Sequence, residues 1–416
     1  KHSSKSESKY LEGVATDLEV IPKIHVAAFA SYRHLDATIK NNTIQSIQTT
    51  GYHRSIREIN RRGQAQQYTI GARTYYRPKE QVQIALHALY TSYDKSYNPP
   101  LRYYNKYYFR GTHIAFVGTD YYLHKRNWYI SGEIATSQNG GIALLQTAEI
   151  DVNKFLRLNI ALRYYGVHYQ PIFGHSLSAG SRVQNEEGLY IGVHYLPWRH
   201  GEISGYVDIY HSPEPTYGTA TAATGSDCML QLKQQHNIYT HIFRYRWQQK
   251  GKNIPLSQTP RATTQIISPY HKHQFKYQII QALNSHWQNQ AKIYATITGY
   301  QDTHFTQGLL GLVSSRFQNG HWTLCGQLAI FNTDDYNSRC TIYEPSTQYD
   351  FYFPSCFGQG LRTALIAQYT MCHNHLRWSL KAGHFHYFDR LYISSAHDAI
   401  AAPYKTDLTI QCRWTW

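Results

Sequence analysis

The chain has 416 residues, a formal net charge of +15 and 38 tyrosines. No stretch approaches the roughly 20 consecutive apolar residues of a membrane-spanning helix, which excludes a helical membrane protein. Six cysteines in a chain of this length do not make a disulfide-stabilised scaffold. The positive charge favours anionic partners such as nucleic acid or acidic lipid head groups, although a basic surface kept for solubility accounts for it as well.

The chain opens on the polar sequence KHSSKSESKY, which has no apolar core of the kind found in a signal peptide. We therefore interpret residues 1–23 as a periplasmic segment or linker ahead of the main domain. The precursor is expected either to have been processed or to carry a preceding domain.

Apolar and polar residues alternate along most of residues 24–416, which is the period of a β-strand. In FLRLNIALRYY, Leu156 and Leu158 share one face, while Arg157 and Asn159 lie on the other. Most of the predicted strands are near the roughly 9–11 residues of a tilted transmembrane strand. About 18 segments show the pattern: 24–39, 66–77, 81–90, 112–123, 127–136, 141–150, 154–167, 186–196, 201–210, 227–234, 237–248, 271–283, 286–299, 307–317, 321–332, 359–371, 375–387 and 404–416.

The connections between these segments alternate in length. Short turns on one side and long loops on the other are typical of an outer-membrane β-barrel, with the short turns in the periplasm. The short connections are 78–80, 124–126, 151–153, 197–200, 284–285, 318–320 and 372–374. The long ones are 40–65, 91–111, 168–185, 211–226, 249–270, 333–358 and 388–403.

The closing segment, TDLTIQCRWTW, ends on the aromatic residue Trp416. In a barrel the last strand must pair with the first, because lipid cannot hydrate an open sheet edge. We therefore expect residues 404–416 to pair with residues 24–39 and Trp416 to lie in the interfacial aromatic girdle.

Four stretches resemble one protein family. They are TTGYHRSIREINRRG (49–63), SRVQNEEGLYIGVHYLP (181–197), YEPSTQYDFYFPSCFGQGLR (343–362) and YKTDLTIQCRWTW (404–416). They are similar to segments of the helix-hairpin-helix barrel proteins of Bacteroidota outer membranes, and the resemblance covers roughly residues 25–416.

This resemblance implies a location in the outer membrane of a Gram-negative cell. Full-length members of the family usually carry a helix-hairpin-helix region before the barrel, similar to that of competence DNA receptors. The resemblance thus implies DNA as a cargo, although the motifs themselves carry no known chemistry and the helix-hairpin-helix region is not in this sequence.

The strand faces opposite the apolar ones would line the lumen of such a barrel. Acidic residues at these positions are few, with Glu133, Glu202 and Asp208 the clearest. A basic lumen would concentrate anions and exclude cations, whereas pairing with carboxylates and tyrosines would make the same residues part of the wall. Both interpretations stay open for the predicted lumenal cations, which are Arg73, Arg77, Arg157, Arg163, Arg244, Arg246, Lys292, Arg362, Arg377, Lys381 and Arg413.

The segment SIREINRRG predicts a short helix over residues 55–62 in the first long loop. Ser55 and Glu58 have the spacing of a capping box, and Gly63 suits the left-handed position after a helix. The helix could enter the lumen as a plug with Arg57, Arg61 and Arg62, or it could lie on the extracellular rim.

The remaining motifs carry little chemistry. Cys340 and Cys356 lie in one predicted extracellular loop, where an oxidising compartment permits a disulfide. We predict no metal site, no cofactor and no catalytic residues, because no paired-carboxylate or Ser-His-Asp spacing stands out.

The sequence thus predicts an all-β protein, a transmembrane antiparallel outer-membrane β-barrel of about 18 strands over residues 24–416. The leading functional hypothesis is a pore or translocator for anionic cargo, including DNA. The alternative is a structural subunit of a larger outer-membrane complex with a plugged lumen. Expected partners are outer-membrane lipid including lipopolysaccharide, DNA or another polyanion, and other envelope proteins.

Overall fold

The structure is a computed structural model that describes residues 10–254, 266–301, 304–371, 375–395 and 398–415. Over these residues the regular secondary structure is β-strand, apart from one helical turn, α1 (Ile56–Ile59), and one 3-10 turn (Tyr103–Asn105). None of the described helices has the length and hydropathy needed to cross a membrane.

Twenty-three strands lie within the described residues. They are β1 Gly13–Ile21, β2 Ile24–Leu35, β3 Ala37–Lys40, β4 Thr43–Ile47, β5 Ala65–Lys79, β6 Val82–Tyr97, β7 Gly111–Lys125, β8 Trp128–Ser137, β9 Ile142–Asn153, β10 Leu156–Tyr165, β11 Glu186–Tyr195, β12 Gly201–Ser212, β13 Ala223–His236, β14 Tyr239–Asn253, β15 Ile267–Ala282, β16 Trp287–Tyr300, β17 Thr306–Asn319, β18 Trp322–Thr333, β19 Cys340–Thr341, β20 Ser355–Cys356, β21 Gln359–Met371, β22 Leu376–Tyr387 and β23 Tyr404–Trp414.

Every one of the predicted segments corresponds to a strand, which confirms the all-β, antiparallel part of the predicted fold class. The structure adds β1, which lies inside the segment that the sequence analysis interpreted as a linker. The short strands β4, β19 and β20 occupy long loops and were not predicted. The predicted segment 24–39 is divided at Asp36 into β2 and β3.

The chain divides into two compact units. The first comprises the described residues within 1–193, 207–226 and 250–268. In it, β1, β2, β5, β6, β7, β8, β9 and β10 pair antiparallel, each with the next. Both edges of β2 are therefore occupied, by β1 and β5, so the expected pairing of residues 404–416 with residues 24–39 is wrong.

The second unit comprises the described residues within 194–206, 227–249 and 269–416. Here β15, β16, β17, β18, β21, β22 and β23 form a second antiparallel series in chain order. The small pair β19–β20 lies in the connection between β18 and β21.

The predicted alternation of connection lengths is present. The turns that follow β5, β7, β9 and β17 have two residues each, whereas the connections from β2 to β5, β6 to β7, β10 to β11 and β18 to β21 are much longer. The predicted short turn 372–374 and the terminal Trp416 lie outside the described residues.

Burial along the strands is inverted relative to a soluble sheet protein. Large apolar side chains are exposed, with Leu365 at 63% and Leu408 at 66% of their full accessible area. The alternate positions, which carry most of the arginines and lysines of the strands, are buried or half-buried on many strands, and the side chain of Arg362 has no exposed area. We call these two surfaces the apolar face and the polar face.

Candidate functional site: the polar face and its loops

All eleven predicted lumenal cations lie on the polar face. This follows because successive side chains of a strand point to opposite faces. The structure divides them by partner. Five do not pair with a carboxylate in the described part of the chain, namely Arg77, Arg244, Lys292, Arg377 and Arg413. The other six do, and they are Arg73, Arg157, Arg163, Arg246, Arg362 and Lys381.

The most buried of these ion pairs surround Arg362 on β21. Its guanidinium donates to both oxygens of Glu344 at 2.7 and 2.8 Å and to Asp407 Oδ1 at 2.9 Å. Lys381 Nζ lies 2.8 Å from the same Glu344 carboxylate, whose side chain has no exposed area. We call Arg362, Glu344, Lys381 and Asp407 the Arg362 cluster. Gly383 makes room for it, since a Cβ there would lie 2.1 Å from Arg362 Nη2.

The Arg362 cluster holds loop 333–358 against the strands. Glu344 belongs to this loop, whereas its cationic partners belong to β21 and β22. A second attachment joins the loop to β23, because Gln348 and Gln411 exchange hydrogen bonds of 3.0 and 3.1 Å and Arg413 binds the Gln348 amide oxygen. Part of the predicted extracellular loop thus lies on the polar face of β21, β22 and β23.

Glu344 is not among the predicted lumenal residues, because it lies outside the alternating strand pattern. One signal pointed toward it. The predicted polar face carried eleven cations against three clear carboxylates, and buried charges require partners. The missing carboxylates had to come from loops, but their identity depends on the fold.

A second buried ion cluster lies in the first unit. Arg163 on β10 donates from Nε to Glu186 Oε1 at 2.6 Å and from Nη1 to Asp208 Oδ1 at 2.7 Å. Glu186 also accepts backbone hydrogen bonds from Ala179 and Gly180 in loop 166–185. This loop is therefore tied to a buried arginine through Glu186, the first residue of β11.

The other paired cations, and the predicted acidic residues Glu133 and Glu202, bind neighbouring acidic or basic side chains. Arg246 donates to Asp227 at 2.9 Å, Glu202 binds Lys233 at 3.0 Å, and Glu133 lies 3.6 Å from His87. For these residues the wall interpretation is the better one.

A different situation holds for Arg244, Lys276 and Lys292, which we call the lysine cluster. On β15 and β16, Lys276 lies opposite Tyr294 and Lys292 opposite Gln278, so the two lysines are diagonal neighbours on the half-buried polar face. Arg244 is close enough to interact electrostatically with Lys276, and its Nε and Nη2 donate to the uncharged Gln231 Oε1 at 2.9 and 2.5 Å. Within the described ranges, no ion pair joins these three cations to a carboxylate.

The predicted helix exists as a single turn, α1. The capping box is confirmed, since Ser55 accepts from the Glu58 backbone N–H at 3.3 Å and Glu58 accepts from the Ser55 backbone N–H at 3.2 Å. A backbone hydrogen bond from Arg54 lowers the pKa of Glu58, which is therefore ionised at neutral pH. Ile56 is 78% exposed and Gly63 is left-handed at φ 61°. The exposure favours a surface helix for this segment, including Arg57, Arg61 and Arg62.

Cys340 and Cys356 lie directly opposite each other in the β19–β20 pair, as buried free thiols. Burial disfavours the thiolate and raises the pKa of Cys340 to about 11 and of Cys356 to about 12. The disulfide that the sequence permits stays a prediction.

We expect both thiols, where they are reduced, to resist alkylation in the folded protein. A rise of two pKa units lowers the thiolate fraction at neutral pH about 100-fold, and the thiolate is the reactive form. Mass spectrometry of protein treated with iodoacetamide, folded and unfolded in detergent, measures the difference. Alkylation at the same rate in both states would contradict the burial of these residues.

No group of three His, Cys, Asp or Glu side chains that could hold a metal ion occurs among the residues that the structure describes. The site is therefore built from fixed charges, tyrosines and amides. Such an arrangement can attract, orient and exclude ions without breaking covalent bonds.

No known family profile matches the chain, and no curated protein is similar to it. Solved structures do resemble it. The FpvAI–pyocin S2 complex aligns with a TM-score of 0.47 and 11% identity, over 96% of this chain and 65% of that one. The ferric enterobactin receptor of Pseudomonas aeruginosa gives 0.49 and 10%, over 99% and 72%.

OmpT, an outer membrane protein of Vibrio cholerae, aligns in a loop-deletion form with a TM-score of 0.35 and 9% identity, over 83% of this chain and 99% of that one. The chain spans just under two thirds of the chain that it matches in the FpvAI–pyocin S2 complex. These similarities are too distant to indicate what this chain binds or carries.

Proposed function

We propose that this chain is an outer-membrane β-barrel that passes anionic solutes across the membrane. Its strands cross the bilayer, its apolar face contacts lipid and its polar face lines the lumen. Cargo is selected by fixed positive charge and not by covalent chemistry.

The inverted burial supports the membrane location. Exposed apolar side chains recur on strands of both units, for example Leu86 at 63% and Ile330 at 59%. A soluble protein rarely exposes apolar patches of more than a few hundred Å². In lipid the same surface is satisfied, and antiparallel strands satisfy each other's backbone groups.

The lysine cluster is the observation that supports selectivity for anions. Ion pairs neutralise six of the eleven predicted cations, but no described carboxylate neutralises Arg244, Lys276 or Lys292. Like charges held close together on one wall produce a local field that raises the anion concentration. Rings of arginine and lysine are the usual basis of anion selectivity in pores.

The purified full chain, reconstituted in a planar lipid bilayer under a KCl gradient, tests the proposal. We expect the reversal potential to take the sign of an anion-selective pore. Selectivity for cations, or conductance without selectivity, would refute the proposed role of the basic wall.

A narrower form of the proposal makes DNA the cargo. It rests on the resemblance of the four sequence motifs, and on the net charge of +15. Retention of a short DNA duplex by the purified chain over a salt series measures it, because each neutralised phosphate contributes to the salt slope. Anion conductance without DNA retention would leave small anions as the cargo.

Topology provides an independent prediction. We expect Tyr217→Cys, in the long connection between β12 and β13, to react with a membrane-impermeant maleimide on intact cells. Lys154→Cys, in the two-residue turn between β9 and β10, should react only after the outer membrane is permeabilised. The reverse result would place the short turns outside and the long loops in the periplasm.

A specific observation also favours the second candidate, a structural subunit with a plugged lumen. Loop 333–358 is fastened to the polar face of β21–β23 by the buried Arg362 cluster. A parent protein that does not conduct, and that copurifies with other envelope proteins in detergent, would support this function over a pore.

A further inference from the structure

A cavity of about 440 Å³ opens among the long connections of the first unit. Its walls come from the β6–β7, β10–β11 and β12–β13 connections and from the ends of β13 and β14. Its volume is within the range of about 300–1,000 Å³ that small-molecule sites occupy.

Tyrosine rings form much of this cavity, and we call it the tyrosine pocket. Tyr104 and Tyr217 meet edge to face with ring centroids 5.4 Å apart. Tyr217 stands at the tip of a tight turn closed by hydrogen bonds between Thr216 and Thr219, and it is 84% exposed. Gly218, at φ 86°, permits this turn. Exposed flat rings at the edge of a cavity suit stacking against a ring-shaped ligand.

The charge of the tyrosine pocket is positive. Arg182, Lys250 and Lys252 line it, and the one carboxylate in its wall is that of Glu186. Glu186 is already bound by Arg163 at 2.6 Å. The guanidinium carbon of Arg182 lies over the Tyr108 ring, 3.9 Å from its centroid. This stacking orients the guanidinium and leaves its edge as a donor for an anion.

Two polar groups in the wall are not satisfied by described residues. Arg182 Nε is buried and makes no hydrogen bond, and the same holds for Gln184 Oε1. Gln184 is 92% buried, since its exposed fraction is 8%, and its Nε2 is fixed by the backbone oxygens of Tyr107 and Val167. A buried acceptor without a donor costs free energy, so a ligand that donates a hydrogen bond would be stabilised there.

We propose that the tyrosine pocket binds a small ring-bearing anion, an acidic sugar or an aromatic acid, from the long-loop side of the protein. Arg182 and Lys250 bind its carboxylate, Gln184 Oε1 accepts from a ligand hydroxyl, and Tyr104 and Tyr217 contact the ring. This goes beyond the proposed function, because neither a pore nor a structural subunit requires a site of this kind.

Binding of four probes to the purified full chain tests the inference by calorimetry. The probes are D-glucuronate and 4-hydroxybenzoate, with D-glucose and phenol as their neutral counterparts. We expect at least one of the anions to bind saturably and its neutral counterpart to bind about ten-fold more weakly, because one charge-assisted hydrogen bond is lost. Which anion binds decides between an acidic sugar and an aromatic acid.

Arg182→Gln should weaken binding by a similar factor, whereas Lys154→Gln, the same charge change at a short turn, should leave it unchanged. Tyr217→Ala is a second variant that removes an exposed ring and so leaves folding intact. It should also weaken binding, by a smaller factor. No saturable binding of either anion, or affinity that neither pocket variant alters, would overturn the inference. Conductance is measured separately, so a failure of the proposed pore does not affect this result.

Discussion

Arg362→Gln is expected to release loop 333–358 from the polar face and to lower the free energy of unfolding by about 3–5 kcal/mol. This is the usual cost of removing one partner from a buried ion pair. Glu344 would keep only Lys381, and Asp407 would lose its guanidinium partner. Urea unfolding in detergent, followed by tryptophan fluorescence, measures the stability, and limited proteolysis measures the exposure of the loop.

Arg157→Gln is the matched control. Arg157 also binds two carboxylates, Glu149 and Asp151, at 3.2 and 2.6 Å. Unlike Arg362, it is open to solvent, so water replaces the lost contacts and the effect should be small. Equal losses in the two variants, or a loop that stays protected in Arg362→Gln, would show that the Arg362 cluster does not anchor the loop.

The same variant bears on the choice between a pore and a plugged barrel. If loop 333–358 obstructs the lumen, its release should raise the conductance of single proteins in a planar bilayer. If the parent conducts fully and the variant conducts equally, the loop is a lining of the wall and not a plug.

Changing Arg244, Lys276 and Lys292 together to Gln is expected to remove most of the anion selectivity. The three cations lack described carboxylate partners, so their replacement leaves no buried carboxylate behind and the fold should persist. Local fields of this kind change counter-ion concentration on the order of ten-fold or more. We expect the permeability ratio of chloride over potassium to fall by about that factor, as read from the reversal potential under a salt gradient.

A triple variant at exposed positions in or beside the short turns, Lys79→Gln, Lys125→Gln and Lys154→Gln, carries the same change in net charge. It should keep the selectivity of the parent, because solvent and salt screen charges at the surface. Equal shifts in both triple variants would mean that net charge, and not the lysine cluster, sets selectivity. An unchanged reversal potential in the first variant would make the cluster part of the wall.

The sequence by itself determined the strands and which side chains share a face. Alternation with a period of two can be seen within a single strand. If such a strand shifted its register by one residue, its charged side chains would move to the apolar face and its apolar side chains to the polar face. Leu158 and Arg157 therefore fall on the predicted faces. β1 escaped prediction, because its short alternation includes the charged residues Asp17 and Glu19 and resembles a solvated linker.

Only the tertiary structure decided which cations are neutralised. Arg163 meets Asp208, and Arg362 meets Asp407, each across 45 residues of chain, and Glu344 reaches Arg362 from a loop. The strand pattern places a cation on the polar face but contains nothing about which carboxylate a distant strand or folded loop brings beside it. Ion pairing depends on distances of a few ångströms in space, and such distances are set by strand register and loop packing, not by separation along the chain.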